Sequence, residues 1–182
     1  GTLTRNEMTV RTAVTARGIF DVTGAGYEPH GAFQQAERDL AAWEDPILPH
    51  LARAALLCND AVLRHTEAEW TVDGDPMEGA LVAFAIKAGE DADAIRRQIP
   101  RSDEIPFDAA HRFMATLHHA HTDGAVAYVK GAPERILAMC DSQLGRDGRE
   151  SLDHAWGSAA IDSLGGNGQR VLALARRRLP VE

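Results

Sequence analysis

Two cations stand where strand-like runs meet turns. Lys130 closes the apolar run "AVAYVK", and Arg170 opens "RVLALARRR". On strand alternation Lys130 shares a face with Val126 and Tyr128, and Arg170 shares one with Leu172 and Leu174. If the two runs pair antiparallel, the end of one lies beside the start of the other, and both cations reach the same edge of a sheet. A lysine offers phosphate a compact mobile charge and an arginine offers it a planar fork, so the pair suits a polyphosphate. Gly131 follows the lysine and, without a side chain, lets a ligand approach the backbone closely. The same spacing also fits two solvated strand ends with their stems along the surface.

Two further stretches carry groups of the right type. In "GDPMEGALV", Asp75 sits at an N-cap position, Pro76 at the first helical position and Glu78 three residues after the cap. Glu78 is thus either half of a capping box or a carboxylate free for a ligand. In "IPFDAAHRFMA", Phe107 lies between a proline and an aspartate, with His111 and Arg112 close behind. An aromatic face beside cations suits a nucleotide base, and a core phenylalanine at a strand end is the alternative. The histidines of "LHHAHTD" could chelate a metal, but His118 and His119 are adjacent on a strand and point to opposite faces, which leaves a polar hairpin with His121 as the simpler account. "GAGYEPHG" lacks the spacing and the following helix of a dinucleotide fingerprint and reads as a hairpin loop. Arg176 to Arg178 read as a solvated strand end.

The elements that must position these residues follow from periodicity. The opening "EMTVRTAVTARGIFDVTGAGYEPHG" alternates around Gly18 as two or three hairpin strands. From Gly31 to Asp60 the pattern turns helical, with a polar segment, a break at "EDPILP" and a second helix whose Leu51, Ala54, Ala55 and Cys58 face a sheet. A hairpin around "VLRHTEAEWTV" precedes a helix with Leu81, Phe84, Ala85 and Ala88 on one face, ended by Gly89, and then a short acidic helix, "DADAIRRQ". Strands resume from Ile105 with "RFMATLHH" and "AVAYVKG", then come the helix "PERILAMC", a Gly- and Asp-rich loop, the helix "SLDHAWGSAAIDSL" and the strand from Arg170. The expected fold class is α+β, a mostly antiparallel twisted sheet flanked by helices.

Composition narrows the function. The 182 residues, 45% apolar and 25% charged, suit a single globular domain spanning 1–182. A net charge of −8 argues against nonspecific binding to nucleic acid or an anionic membrane, so any phosphate ligand needs locally placed cations. Cys58 and Cys140 both lie in apolar runs, as buried thiols in a reducing compartment would. "GTLTRNEMTV" lacks a signal-peptide core, and no apolar run approaches the roughly 18 to 20 residues needed to span a bilayer.

"GDPMEGAL", "IPFDAAHRFMA", "KGAPE" and "RVLALA", in this order, resemble the nucleotide-binding domain of P-type cation-transporting ATPases of the calcium-pump and sodium-pump-like branch. "GTLTRNEMTV" looks like the tail of that family's phosphorylation motif, and "VTGAGYEPHGAF" like its next hairpin. The resemblance implies an ATP site in which Phe107 stacks on adenine, Glu78 lies by the adenine edge, and Lys130 and Gly131 line the bottom of the pocket. Arg170 then reaches the phosphate chain and Leu172 the base or ribose. Arg112 stands where the family usually carries a lysine and becomes the phosphate-side cation, while Met77, Ala109 and Ala110 depart from the family's polar residues. The family's acceptor aspartate lies just before the "GTLT" with which this chain begins, so residues 1–5 are expected to be a hinge remnant and the chain to bind ATP without hydrolysing it. Magnesium, the phosphorylation, actuator and membrane domains, and a cytoplasmic position in an integral membrane protein are implied for the full-length pump, with the fragment itself a monomer. The competing expectations are a regulatory or metal-binding domain using His118, His119 and His121, and a freestanding hydrolase.

Overall fold

The computed structural model describes residues 7–120 and 124–180. Gly1 to Arg5, the expected hinge, and His121 lie outside them. The described residues form two compact units: those up to Ala13 with Gly18–Ala92, and Val14–Arg17 with those from Asp93 onward.

The first unit opens with β1 (Thr12–Thr15), whose last residues cluster with the second unit, then β2 (Gly18–Val22), β3 (Phe33–Gln35) and β4 (Arg38–Leu40), in the sheet order β1-β2-β3-β4. The polar segment expected to be helical is therefore the β3–β4 hairpin. Its two loop residues, Ala36 and Glu37, both take positive φ, 50° and 64°. This is the geometry of a type I′ turn, built here without the Asn-Gly or Gly that usually announces it, and "QQAERD" therefore reads as helix. After a 3-10 turn (Ala42–Glu44), the buried Asp45 carboxylate accepts the N–H groups of Ile47 and Leu48 at 2.9 and 3.0 Å and starts α1 (Leu48–Leu57).

The hairpin β5 (Val62–His65) and β6 (Trp70–Asp73) leads to α2 (Pro76–Lys87). Asp75 Oδ1 caps α2, accepting from Met77 and Glu78 N–H at 2.9 and 3.1 Å, with Pro76 at the first position. Glu78 through Ala85 are all buried, so α2 is covered on every side and not along one face. It packs against α1, against the β5–β6 hairpin, and through Phe84 edge-on to Phe33 of β3 at 5.7 Å. The principal neighbour of α1 is consequently α2, where the sequence pointed to a sheet. Gly89, at φ 99°, follows the helix end, and Lys87 Nζ donates to the Thr23 carbonyl at 3.0 Å. Burial and the nearby Arg11 guanidinium lower the Lys87 pKa.

The second unit contains α3 (Ala92–Gln98), β7 (Arg101–Asp108), β8 (Phe113–Ala120), β9 (Gly124–Gly131), α4 (Pro133–Met139), the hairpin β10 (Ser142–Gly145) and β11 (Gly148–Ser151), α5 (His154–Gly166) and β12 (Ala173–Leu179). Its main sheet runs β12-β9-β8-β7 with every pairing antiparallel. Strand β7 begins at Arg101, four residues before the expected start, and the expected loop after Met139 is the two-stranded β10–β11 hairpin. Strand β12 begins at Ala173 opposite Gly131, where β9 ends and the chain turns into α4, so Arg170 and Leu172 precede the ladder. One sheet face is covered: Met114, Thr116 and His118 of β8 and Tyr128 and Lys130 of β9 are all buried. Helix α4 packs on β9, β12 and α5, where Gly157 admits the Leu137 methyls. Asp153 caps α5 at the Trp156 N–H, and the Trp156 indole donates to the Thr15 carbonyl at 3.1 Å. Cys58 is buried and Cys140 half-buried, and neither is in a disulfide.

Gly79, in the middle of α2, shows how tight this core is. A Cβ there would lie 2.3 Å from Val72 Cγ2 and 3.1 Å from the Tyr27 ring. Alanine gains about 1 kcal/mol in helix propensity, but pressing on a rotamer-locked valine costs about 1–3 kcal/mol. Gly79→Ala is expected to lower unfolding free energy by roughly 1 kcal/mol in urea titrations, against the gain the same change gives in an exposed helix.

Candidate functional site

Two turns meet at one end of the β12-β9-β8-β7 sheet. In the β7–β8 turn, Asp108 Oδ1 accepts the N–H groups of Ala110 and His111 at 2.7 and 3.2 Å, and Arg112 N–H donates to the Asp108 carbonyl at 2.7 Å. Arg112 closes the turn at φ 60°, a left-handed conformation unusual for a non-glycine residue. In the β9–α4 turn, Ala132 N–H donates to the Arg112 carbonyl at 3.0 Å. A Cβ on Gly131 would lie 2.3 Å from that carbonyl oxygen and 2.7 Å from Phe113 Cα. The glycine is thus required by the neighbouring strand itself. The Arg112 guanidinium pairs with the Glu134 carboxylate in the first turn of α4, and the Arg135 guanidinium lies 5.9 Å from the centre of the Phe113 ring.

The register organises the predicted residues around this junction. Asp108, Phe113, Gly131 and Ala173 form one row across the four strands. Phe107, Arg112, Lys130 and Leu172 each lie one residue from that row, and Arg170 three residues from it. Phe107 falls in an irregularity of the β7–β8 ladder between Ile105 and Asp108, and it is 63% exposed, so it is no core residue. Lys130 is 3% exposed, between Met114 and Leu174 on the flanking strands, and is therefore not a solvated strand end. Arg170 is exposed and Leu172 half-buried. With strands about 4.8 Å apart, Lys130 on β9 stands about 10 Å across the sheet from Phe107 on β7.

Glu78 belongs to the other compact unit. Its carboxylate accepts the Asp60 N–H at 3.3 Å and its carbonyl accepts Asn59 Nδ2 at 2.9 Å. Asn59 also donates to the Ala55 carbonyl and accepts from Ala61 N–H, so Glu78 helps tie the corner after α1 to the start of α2.

Of the histidines, His118 is buried with Nδ1 3.0 Å from the Ile99 carbonyl and Nε2 2.9 Å from Thr116 Oγ1, while His119 is exposed with Nδ1 2.7 Å from Ser102 Oγ. The expected division between opposite faces is observed. A shallow polar hollow at the β10–β11 hairpin is lined by Asp141, Ser142, Arg149, Glu150 and Ser151, none of them a predicted site residue. Glu134 was given no role by sequence reasoning, because its partner Arg112 is 22 residues away and no periodicity links them. Asp108 could have been found: an aspartate two and three residues before free backbone N–H groups is a common turn signal.

Residues 48–182 match the family described as P-type ATPase, cytoplasmic domain N. The chain is 39% identical to a cation-transporting ATPase of Synechocystis, over 97% of this chain and 20% of that protein. It is 38% identical to a probable cation-transporting ATPase of Mycobacterium tuberculosis, over 95% and 19%, and 31% identical to a calcium-transporting ATPase of Bacillus subtilis, over 97% and 20%. The chain spans about one fifth of the length of these relatives.

The turn also titrates. Hydrogen bonds from the Ala110 and His111 N–H groups hold the Asp108 carboxyl below its ordinary value of 3.8, with the nearby His111 ring adding to this. A depressed folded pKa makes the stabilisation complete above the unfolded value and lost as pH falls through the folded one. Carboxyl-carbon NMR should place the Asp108 midpoint below 3.8, and Asp108→Ala should speed amide exchange at Ala110 and His111; a midpoint at or above that value overturns this.

Proposed function

This chain belongs to the P-type ATPases, as their cytoplasmic domain N, and on that footing we propose that it binds ATP, with adenine on Phe107 and the phosphates toward Arg112, Lys130 and Arg170. What carries this reading is the row Asp108–Phe113–Gly131–Ala173, within three residues of which stand the exposed Phe107 ring and the cations Arg112, Lys130 and Arg170. An exposed phenylalanine on an edge strand leaves its face open to a base, and stacking contributes about 1–3 kcal/mol. A lysine removed from bulk water acts on phosphate through a lower effective dielectric than a surface lysine would. Gly131 and Leu172 complete the nucleotide's surroundings, and residues 1–182 are read as one nucleotide-binding domain, with 1–5 a remnant of the hinge to the phosphorylation domain.

The nucleotide's triphosphate is presented to an acceptor aspartate in a separate phosphorylation domain of the same full-length chain, an ATP-driven cation pump in which this domain is cytoplasmic and the transport path lies in the membrane. The residues assigned here bind and orient the nucleotide, and on this reading phosphoryl transfer is left to that aspartate. On this reading magnesium enters with the triphosphate, held largely by its phosphate oxygens. No helix of the described residues is long and apolar enough to cross a membrane.

Calorimetric titration with ATP tests the site. Phe107→Ala is expected to weaken binding about tenfold, as loss of one stacked base contact would. Lys130→Met, which keeps the buried stem and deletes the charge, should weaken ATP more than adenosine. Wild-type affinity in both variants overturns the proposal.

A further inference from the structure

The Arg112–Glu134 ion pair joins the two turns, yet the backbone around it does not depend on it. Arg112 is fixed by its own N–H on the Asp108 carbonyl and by its carbonyl on the Ala132 N–H, and Glu134 is fixed by the first turn of α4 behind Pro133. The pair itself is half in solvent, with side chains 53% and 57% exposed. Exposed pairs of this kind are weak and readily exchanged. A polyphosphate offers a guanidinium several charge-assisted bonds in a matching fork geometry, whereas a neutral nucleoside offers it no anion. A ligand anion that takes Arg112 must therefore displace the Glu134 carboxylate and tolerate it nearby.

We propose that Glu134 is a specificity-determining residue of the nucleotide site: its carboxylate competes with ligand phosphate for the Arg112 guanidinium and tempers the grip on polyphosphate in proportion to ligand charge. This rests on the nucleotide reading above and on Arg112 being a phosphate-side cation. The other charged groups of the junction do not substitute for Glu134. Asp108 accepts the Ala110 and His111 N–H groups through Oδ1, which also lies 3.6 Å from His111 Nδ1, and the Arg135 guanidinium lies over the Phe113 ring. A domain that hands its nucleotide's phosphate to another site gains from a cation whose hold is limited by a built-in competitor.

The test compares ATP and adenosine binding to the 182-residue chain and to Glu134→Gln, Arg112→Ala and the double variant. Glu134→Gln is expected to tighten ATP about three- to fivefold, the upper part of the range an exposed ion pair supports. It should leave adenosine within about twofold and lose its effect as ionic strength rises. In the Arg112→Ala background the same substitution should have no effect on ATP. The inference is overturned if Glu134→Gln weakens ATP or leaves it unchanged, if it shifts ATP and adenosine alike, or if its gain survives without Arg112. Failure of the nucleotide reading has a different signature, a wild-type chain with no saturable ATP binding, and it removes this inference as well. Thermal unfolding of each variant separates lost binding from lost structure.

Discussion

At Gly131 there is no room for a side-chain carbon between β9 and the Arg112–Phe113 backbone of β8. This one close approach sets the geometry of everything at that end of the sheet. It allows Ala132 N–H to reach the Arg112 carbonyl, and that bond satisfies the outer group of a residue held in the left-handed region. A strained conformation persists where its surroundings over-determine it, and here a hydrogen bond on each side of Arg112 does so. The consequence is a pair of turns fixed by backbone, from which side chains of opposite charge project and pair.

The first unit uses a different device for a comparable end. Its corner after α1 is held by Asn59 and Glu78, two buried polar side chains that bond main-chain groups of the α1 exit and of α2. Buried polar groups are tolerable only when satisfied, and then they fix one arrangement of the helices in place of several. Sequence reasoning left Glu78 between a local cap and a ligand group. In the structure its carboxylate accepts the Asp60 N–H. A substitution there must be judged against the loss of that corner as well as against any contact with a nucleotide.

The legible parts of the chain were those governed by local rules. Asp75-Pro76 starts α2, Gly89 follows its end, and antiparallel alternation puts Lys130 on the face of Tyr128. What alternation cannot supply is whether that face is covered, so Lys130 read equally well as a solvated end. The hairpin at Ala36-Glu37 escaped because its positive φ angles occur on residues that prefer helix, and the β10–β11 hairpin because its turn residues outweigh two four-residue strands. Pairing across 22 residues, as between Arg112 and Glu134, follows from the register of β8 against β9 and from nothing in either local sequence.

The chain's net charge of −8 and its proposed polyanionic ligand conflict only if charge is treated as a single sum. Fields from exposed charges decay over about 8 Å at physiological ionic strength, so the distant acidic residues mainly slow encounter. Close to the row from Asp108 to Ala173 the relevant charges are few, and they differ in kind. Lys130 is held on a covered sheet face, Arg170 is exposed ahead of β12, and Arg112 is paired to a carboxylate in the same junction. On the proposed reading, a site made of one enclosed cation, one open cation and one cation already shared with an anion would attract phosphate without saturating on it. Such an arrangement suits a module that holds nucleotide in one place so that its phosphate can react in another.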